Sequence, residues 1–447
     1  MAQLPALSIT SAVPDPALLD LPWNLPLDLW PEENIAILPK GISRHLVRFV
    51  HLDGFVIAIK ETSAELARRE YDLLRSLQRL AIPCVEPLAV VTDRPTASGE
   101  HLDSALVTRH LEFSLPYRAL YSQALRPATA TRLVDALAVL LARVHLAGFF
   151  WGDVSLSNTL FRRDAGAFAA YLVDAETGTL HESGLSDGQR DHDLEIGRIN
   201  IAGELLDLQA GGRLDDEIDP VAVADGIVAA YRSLWTELTE SESFPASERW
   251  RINRRVDRLN ALGFDIEELS ISQDSDGTHV HIQPKVVDAG HHSRRLLRLT
   301  GLDAGENQAR RLLNDLDAHR ASKHDAGDGS PGPSGSASDE EMLAHDWLAN
   351  VFEPVIRAIP RDLRGKLEPA EVFHQLLEHR WYRSQNENRS VPLEEALASY
   401  LEGVLRHRRD ELMMVDPPTG AFTAPINLRS AEPEIDEDTD ADWRDKV

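Results

Sequence analysis

An apolar helical pattern from about residue 131 to 147, carrying Leu133, Leu137, Leu140, Leu141 and Val144, stops at Gly148. Shortly afterwards the chain reads Trp151-Gly-Asp-Val-Ser-Leu-Ser-Asn158, and then Tyr171-Leu-Val-Asp174-Ala-Glu176 at the end of a second apolar run. An aspartate, a following asparagine and a second aspartate in this order suggest a division of labour. One carboxylate can orient a hydroxyl nucleophile, while a neutral amide oxygen and the other carboxylate can hold a hard cation such as magnesium against phosphates. The Asp153-to-Asn158 spacing alone is common in turns. Its place between an apolar helix and an apolar strand is what narrows the choice of fold. Ser155 and Ser157 read as hydrogen-bonding residues of the loop rather than nucleophiles.

Upstream, Phe55-Val-Ile-Ala-Ile-Lys60 follows the turn Asp53-Gly54 and reads as a strand whose period of two puts Val56, Ala58 and Lys60 on one face. A lysine ending such a face needs phosphates, a carboxylate, or an escape to water, because a bare buried ammonium is prohibitively costly. The helix expected from Ser63 to Leu80 supplies a partner. Its apolar stripe is read as Leu66, Leu73, Leu77 and Leu80, with Glu70 on the stripe and Glu65, Arg69, Asp72 and Ser76 opposite. Ser104-Ala-Leu-Val-Thr-Arg109 is a further strand.

These segments together resemble the protein-kinase-like superfamily. The resemblance implies a bilobal α+β fold over about 33–240, with Ser104–Arg109 running into the interlobe hinge. It implies that Lys60, paired with Glu70, holds the α- and β-phosphates of ATP, and that Ala58 lines the adenine pocket. Asp153 matches the catalytic aspartate, and Asn158 and Asp174 match the magnesium ligands. The form Asp174-Ala-Glu176 is similar to small-molecule kinases of the aminoglycoside and choline type and to lipopolysaccharide core (Kdo/heptose) kinases, and Glu176 could join the metal site. Trp151-Gly152 stands where kinases carry His-Arg, which argues against activation by loop phosphorylation. Asp193 or Asp191, in Arg190-Asp-His-Asp-Leu-Glu-Ile-Gly197, would brace the catalytic loop. A glycine-rich loop before the lysine strand is represented only by Gly41, with Ser43, in Pro39–Arg44. The later segments Pro284–His292, Leu299–Asp303, Glu306–Arg310 and Phe373–Tyr382 resemble the uncharacterised bacterial domain DUF4032.

Length and composition fit this organisation. The 447 residues are 43% hydrophobic and carry a net charge of −27, which argues against non-specific adhesion to nucleic acid or an anionic membrane. Residues 1–32, rich in proline, read as an N-terminal arm that could be loose and pack by a few side chains. A smaller α/β and helical C-terminal domain is expected over 245–414. There, Arg251, Arg254, Arg255 and Arg258 share a helix that Gly263 ends, and strands 265–271 and 278–282 are joined through Asp274–Gly277. A helix is expected over 304–316, a flexible insert over 322–338, and a helical stretch from 341 with Leu343, Trp347, Val351 and Val355 at helical spacing. The tail 415–447 is acidic and reads as disordered. The single cysteine, Cys84, excludes an internal disulfide. The chain shows neither a secretory signal nor a membrane span, so a cytoplasmic location is expected.

Two other features of the C-terminal part invite alternatives. His279, His281, His291, His292, His374 and His379 could ligate a metal but lack the spacing of a known site, and core or surface histidines are the default. Arg251–Arg258 with Arg294, Arg295 and Arg298 could meet nucleic acid, although pairing with the chain's own acids is favoured in so acidic a protein. The function expected is transfer of the γ-phosphoryl group of ATP, with Mg2+, to a hydroxyl of a sugar, a small alcohol or a protein Ser/Thr. The alternative is a pseudokinase or scaffold that binds nucleotide weakly and acts through its C-terminal domain. The sequence leaves the acceptor and the oligomeric state open.

Overall fold

The structure is a computed structural model that describes residues 7–31, 35, 46–52, 54–121, 125, 127–261, 263–273, 278–326 and 337–412. The Gly41 segment, the Asp274–Gly277 turn, most of the 322–338 insert and the acidic tail lie outside the described residues.

The N-terminal lobe is an antiparallel sheet of five strands: β1 (Ser8–Ser11), β2 (Val47–Leu52), β3 (Phe55–Thr62), β4 (Pro87–Thr92) and β5 (Ser104–Arg109). Their order across the sheet is β1-β4-β5-β3-β2. Register places Phe49 opposite Ala58, Ala58 opposite Thr108 and Lys60 opposite Leu106. These residues therefore share the face that looks toward the rest of the molecule, because alternate strand residues point the same way. The opposite face buries Ile57, Ile59, Val91 and Val107.

That opposite face is covered by residues 7–31, which pack through several side chains and add an edge strand. Residues Ser8–Ser11 form an edge strand on β4, and Leu18, Trp23, Leu27 and Trp30 are buried against the sheet. Arg94, itself wholly buried, fixes the segment by donating to the Trp23 and Leu25 carbonyls and to Glu61 Oε1 at 3.1, 2.7 and 2.7 Å. A buried guanidinium is tolerated because its donors are matched one by one.

Helix α1 (Ala64–Arg79) starts at a Ser63 cap that accepts from Leu66 N. It buries Ala67, Glu70, Tyr71, Leu74 and Leu77. The stripe expected from sequence is therefore rotated. Leu66 and Leu73 are half-buried and Leu80 is 42% exposed beyond the helix end. The small side chain of Ala67 lets the helix approach the sheet closely, so it takes a place that leucine spacing assigned to its neighbours. Glu70 keeps its place on the buried face.

The second lobe is built on α2 (Pro127–Leu146), which buries Leu133, Leu137, Leu140, Leu141 and Val144 in the main core. A three-stranded sheet sets β6 (Ser114–Pro116) and β8 (Ala167–Leu172) on either side of β7 (Thr159–Asp164). Helices α3 (Asp187–Ala210) and α4 (Pro220–Thr239) complete the lobe, α3 opening with a Ser186–Gln189 capping box. Together the lobes make an α+β, bilobal arrangement, as expected from the sequence.

Beyond α4, β9 (Glu242–Pro245), β10 (Phe264–Gln273) and β11 (His279–Ala289) form a sheet with β11 in the middle. The strand at 242–245 was not expected. Helix α5 (Trp250–Ala261) carries the arginines and is followed by Gly263 at φ 86°. Helices α6 (His291–Thr300), α7 (Glu306–Ala326), α8 (Ala337–Trp347), α9 (Pro369–Glu387) and α10 (Leu393–Gly403) follow. The helix expected at 304–316 runs ten residues further. Trp347, Phe352, Phe373 and Tyr400 centre a separate core. Among the described residues no helix is long and apolar enough to cross a membrane.

Candidate active site

Strand β3 carries Lys60 to the cleft face, and α1 brings Glu70 beside it. Lys60 Nζ donates to Glu70 Oε2 at 3.1 Å and to Asp174 Oδ2 at 2.8 Å, and lies 2.8 Å from Glu176 Oε2. Each carboxylate offers an oxygen within 4.8 Å of the others. The strand β8 stops at Leu172, so Asp174 and Glu176 sit on a turn rather than sharing a strand face. The Glu176 backbone N–H donates to Asp174 Oδ1 at 2.9 Å, which curls the turn and brings the second acid round to the lysine.

The charges in this cluster are unbalanced, with three carboxylates around one ammonium. Burial, then Asp174 and Glu176, pushes Glu70 up to about 8, although Lys60 pulls it the other way. The Lys60 ammonium is held charged by Glu70 and Asp174, which outweigh its own desolvation. An all-oxygen, net-negative donor set suits a hard cation. Added positive charge beside Asp174 and Glu176 would relieve the strain on Glu70.

Asp153 lies on the loop after α2. Gly148 and Gly152 have φ of 78° and 77°, a region side chains disfavour. A Cβ at Gly148 would also fall 2.3 Å from the His181 carbonyl oxygen. Asn158 Nδ2 donates to Asp153 Oδ2 and to the Asp153 carbonyl, both at 3.0 Å, while Asn200 Nδ2 donates to Asp153 Oδ1 at 3.1 Å. Both oxygens of Asp153 are thus oriented by amides. Ser155 Oγ accepts from Asn158 N at 3.2 Å. Trp151 ties the two halves together. Its Nε1 donates to the Asp174 carbonyl at 2.9 Å, and Thr177 Oγ1 donates to the Trp151 carbonyl at 2.8 Å.

The brace for this loop is Asp193. It is fully buried and accepts from Trp151 N and Gly152 N at 2.9 and 2.8 Å, with His145 Nε2 at 3.1 Å. Asp191, the competing candidate, is exposed and pairs with Arg232. Glu204 adds a second brace by accepting from Leu156 N and Ser157 N at 2.7 and 2.9 Å. Sequence reasoning missed Asn200 and Glu204. The signal for them is a stripe at helical spacing on α3, namely Asp193, Gly197, Asn200 and Glu204, small or polar throughout and facing the loop.

Ala58 is half-buried on the cleft face and Phe49 stands opposite it across β2 and β3. His110, at the end of β5, packs edge-on against the Phe49 ring at 5.5 Å, and its buried Nε2 has no hydrogen-bond partner. Burial lowers its imidazole to about 4.

In the C-terminal part several of the groups weighed as ligands or basic contacts meet local partners. His292 bonds Glu306, and His379 bonds Ser399. Arg251 pairs with Glu242 and Glu248, Arg255 with Glu242, and Arg295 with Glu340.

Residues 58–196 match the model of the Lipopolysaccharide kinase (Kdo/WaaP) family, and residues 233–405 match that of the Domain of unknown function (DUF4032). No curated protein matches the chain. Among solved structures, WaaP in complex with acyl carrier protein aligns at 16% identity and a TM-score of 0.32, covering 50% of this chain and 87% of the other. An aminoglycoside-3'-phosphotransferase of type VIII aligns at 15% identity and 0.29, covering 46% and 88%. The chain thus joins a segment similar to the lipopolysaccharide kinase (Kdo/WaaP) family to a segment similar to DUF4032.

Proposed function

We propose that this protein transfers the γ-phosphoryl group of ATP to a hydroxyl acceptor, with magnesium held by Asn158 and Asp174. One observation carries the reading: Lys60 Nζ bonds both Glu70 and Asp174, bringing a strand, a helix and a distant loop to one point. A lysine so placed supplies the charge that α- and β-phosphates need, and Glu70 keeps its side chain extended toward them. When bound, magnesium would neutralise charge on the phosphates, with Glu176 close enough to assist.

Asp153 has the geometry of an orienting base. Asn158 and Asn200 fix its carboxylate, and an acceptor O–H directed at it points its oxygen along the line of attack. The acceptor oxygen bonds to the γ-phosphorus as the bridging bond to the β-phosphate breaks, and the hydroxyl proton passes to Asp153. Ala58 and Phe49 provide apolar cover on the cleft face where a nucleobase would lie. The acceptor class is a sugar, a small alcohol or a protein Ser/Thr.

The test is transfer of label from γ-labelled ATP to components of a fractionated cell extract. Asp153→Ala should abolish transfer while the thermal shift with Mg·ATP persists, and Lys60→Met should lose both. Equal transfer by wild type and Asp153→Ala would overturn the assignment. A shift with no transfer to any fraction would favour a scaffold that only binds nucleotide.

A further inference from the structure

We infer that the C-terminal domain positions the phosphotransfer site by gripping the turn of the β7–β8 hairpin, whose far ends lead to Asn158 and Asp174. The inference rests on the functional reading above for what is being positioned, but the grip itself is a matter of geometry.

Strands β7 and β8 pair in unbroken register from Thr159 opposite Leu172 to Asp164 opposite Ala167. At the site end, Val173 N donates to the Asn158 carbonyl at 3.0 Å, so the residues before β7 and after β8 are held together. At the other end Ala165 and Gly166 both have positive φ, a tight two-residue turn. The hairpin is about 20 Å long, at roughly 3.3 Å per residue. A paired ribbon of this length cannot slip by one residue without turning its buried face outward. Movement at the turn is therefore delivered to the site.

The turn is seated in the C-terminal helices through buried polar contacts. Asp164 accepts from Gln308 N at 2.8 Å and from Asn307 N and Nδ2, each at 3.1 Å. It therefore caps α7, a helix of the other domain, in place of a residue within that helix's own segment. Gly305 leaves room for it, since a Cβ there would lie 2.5 Å from Asp164 Oδ1. Glu371 on α9 accepts from Ala165 N at 3.0 Å and from Gln308 Nε2 at 3.0 Å, and Gln308 Nε2 also reaches the Arg163 carbonyl at 2.9 Å. Arg163 pairs with Glu411 at 3.0 Å, and Arg162 pairs with Glu368. A second tie runs from Phe113 N to the Leu412 carbonyl, just before β6, which pairs with β7.

Asp164, Gln308 and Glu371 are almost wholly buried. Buried polar groups of this kind are costly to leave unpaired, so each partner lost weakens the grip. None of these residues touches the reacting atoms, and their role is positioning.

The test uses the full chain and amide hydrogen exchange at Val173, read without nucleotide. Asp164→Ala should speed exchange at Val173 about tenfold relative to amides of β3 and β5. It should also raise several-fold the magnesium concentration needed for the Mg·ATP thermal shift. Asp164→Asn, which keeps one capping oxygen but sets an N–H group against the donors on the other side, should recover only part of both. If Asp164→Ala does not fold, Asn307→Ala removes one bond to Asp164 and should move both readouts the same way by less. Unchanged protection at Val173, or loss only in step with β3 and β5, would overturn the grip. A selective response at Val173, in a protein whose transfer ignores Asp153→Ala, would remove the phosphotransfer reading and leave the grip standing.

Discussion

Lys60 Nζ lies 2.8 Å from Asp174 Oδ2 across 114 residues of chain, and the same ammonium holds Glu70 at 3.1 Å. Removing that cation would leave Glu70, which burial already pushes toward its neutral form, without its hydrogen-bond partner. Lys60→Met should therefore abolish phosphoryl transfer, by about a hundredfold or more, and also lower stability by about 1–3 kcal/mol, as for a buried polar group left unpaired. The double variant Lys60→Met/Glu70→Leu separates the two effects. It should regain most of the stability in urea unfolding while remaining inactive. Recovery of activity in the double variant would show that the lysine acts only in folding.

Asn200 donates to the Asp153 oxygen that Asn158 does not hold. A hydrogen bond to a charged group is worth about 1.5–3 kcal/mol. Asn200→Ala should lower kcat by roughly tenfold to a hundredfold, leaving KM for the nucleotide near the wild-type value. Steady-state kinetics on a responsive acceptor measures both. A rise in KM with kcat intact would place Asn200 in nucleotide binding instead.

The residues of the cleft were readable from sequence because each must be a particular chemical type at a particular turn of the chain. Lysine at the end of an apolar strand, glutamate on an apolar helical stripe and aspartate closing an apolar run each conflict with their surroundings unless they converge. Asn200 and Glu204 carried no such conflict, since polar residues are ordinary on a helix such as α3, and only the loop packed against them gives their face a purpose. The edge strand and the extent of packing in the N-terminal segment were hidden for a different reason. Its prolines and short 3-10 turns have no period, and its order depends on Arg94 and the far face of a sheet formed by later residues. The grip on the β7–β8 turn was likewise hidden, because its partners lie more than 140 residues away in sequence.

His110 fixes the sign of one pH effect. Its buried imidazole titrates near 4 in the folded protein, against 6.5 for the free group, because burial opposes charge. Between these values the unfolded chain binds a proton that the folded chain refuses. Stability is thus intact above about pH 6.5 and is lost as pH falls toward 4, by on the order of 3 kcal/mol for this group. His110→Leu should flatten that part of the urea midpoint profile relative to wild type. Identical slopes between pH 6.5 and 4.5 would show that the imidazole is not the source.

Gly197 sets the distance between α3 and the catalytic loop. A Cβ there would stand 2.9 Å from Val154 Cγ1 and 3.1 Å from Val154 Cβ, and Val154 is buried directly after Asp153. Gly197→Ala should cost about 1–3 kcal/mol as an overpacked contact and lower kcat, because the loop must retreat with Val154. Gly203→Ala on the same helix is the control. Nothing lies within 4 Å of its would-be Cβ, so replacing a helical glycine should stabilise by about 0.5–1 kcal/mol. Adding Val154→Ala to Gly197→Ala should return part of both losses, since the two side chains compete for one space. Strictly additive effects in that cycle would mean that the glycine and the valine do not set the loop position together.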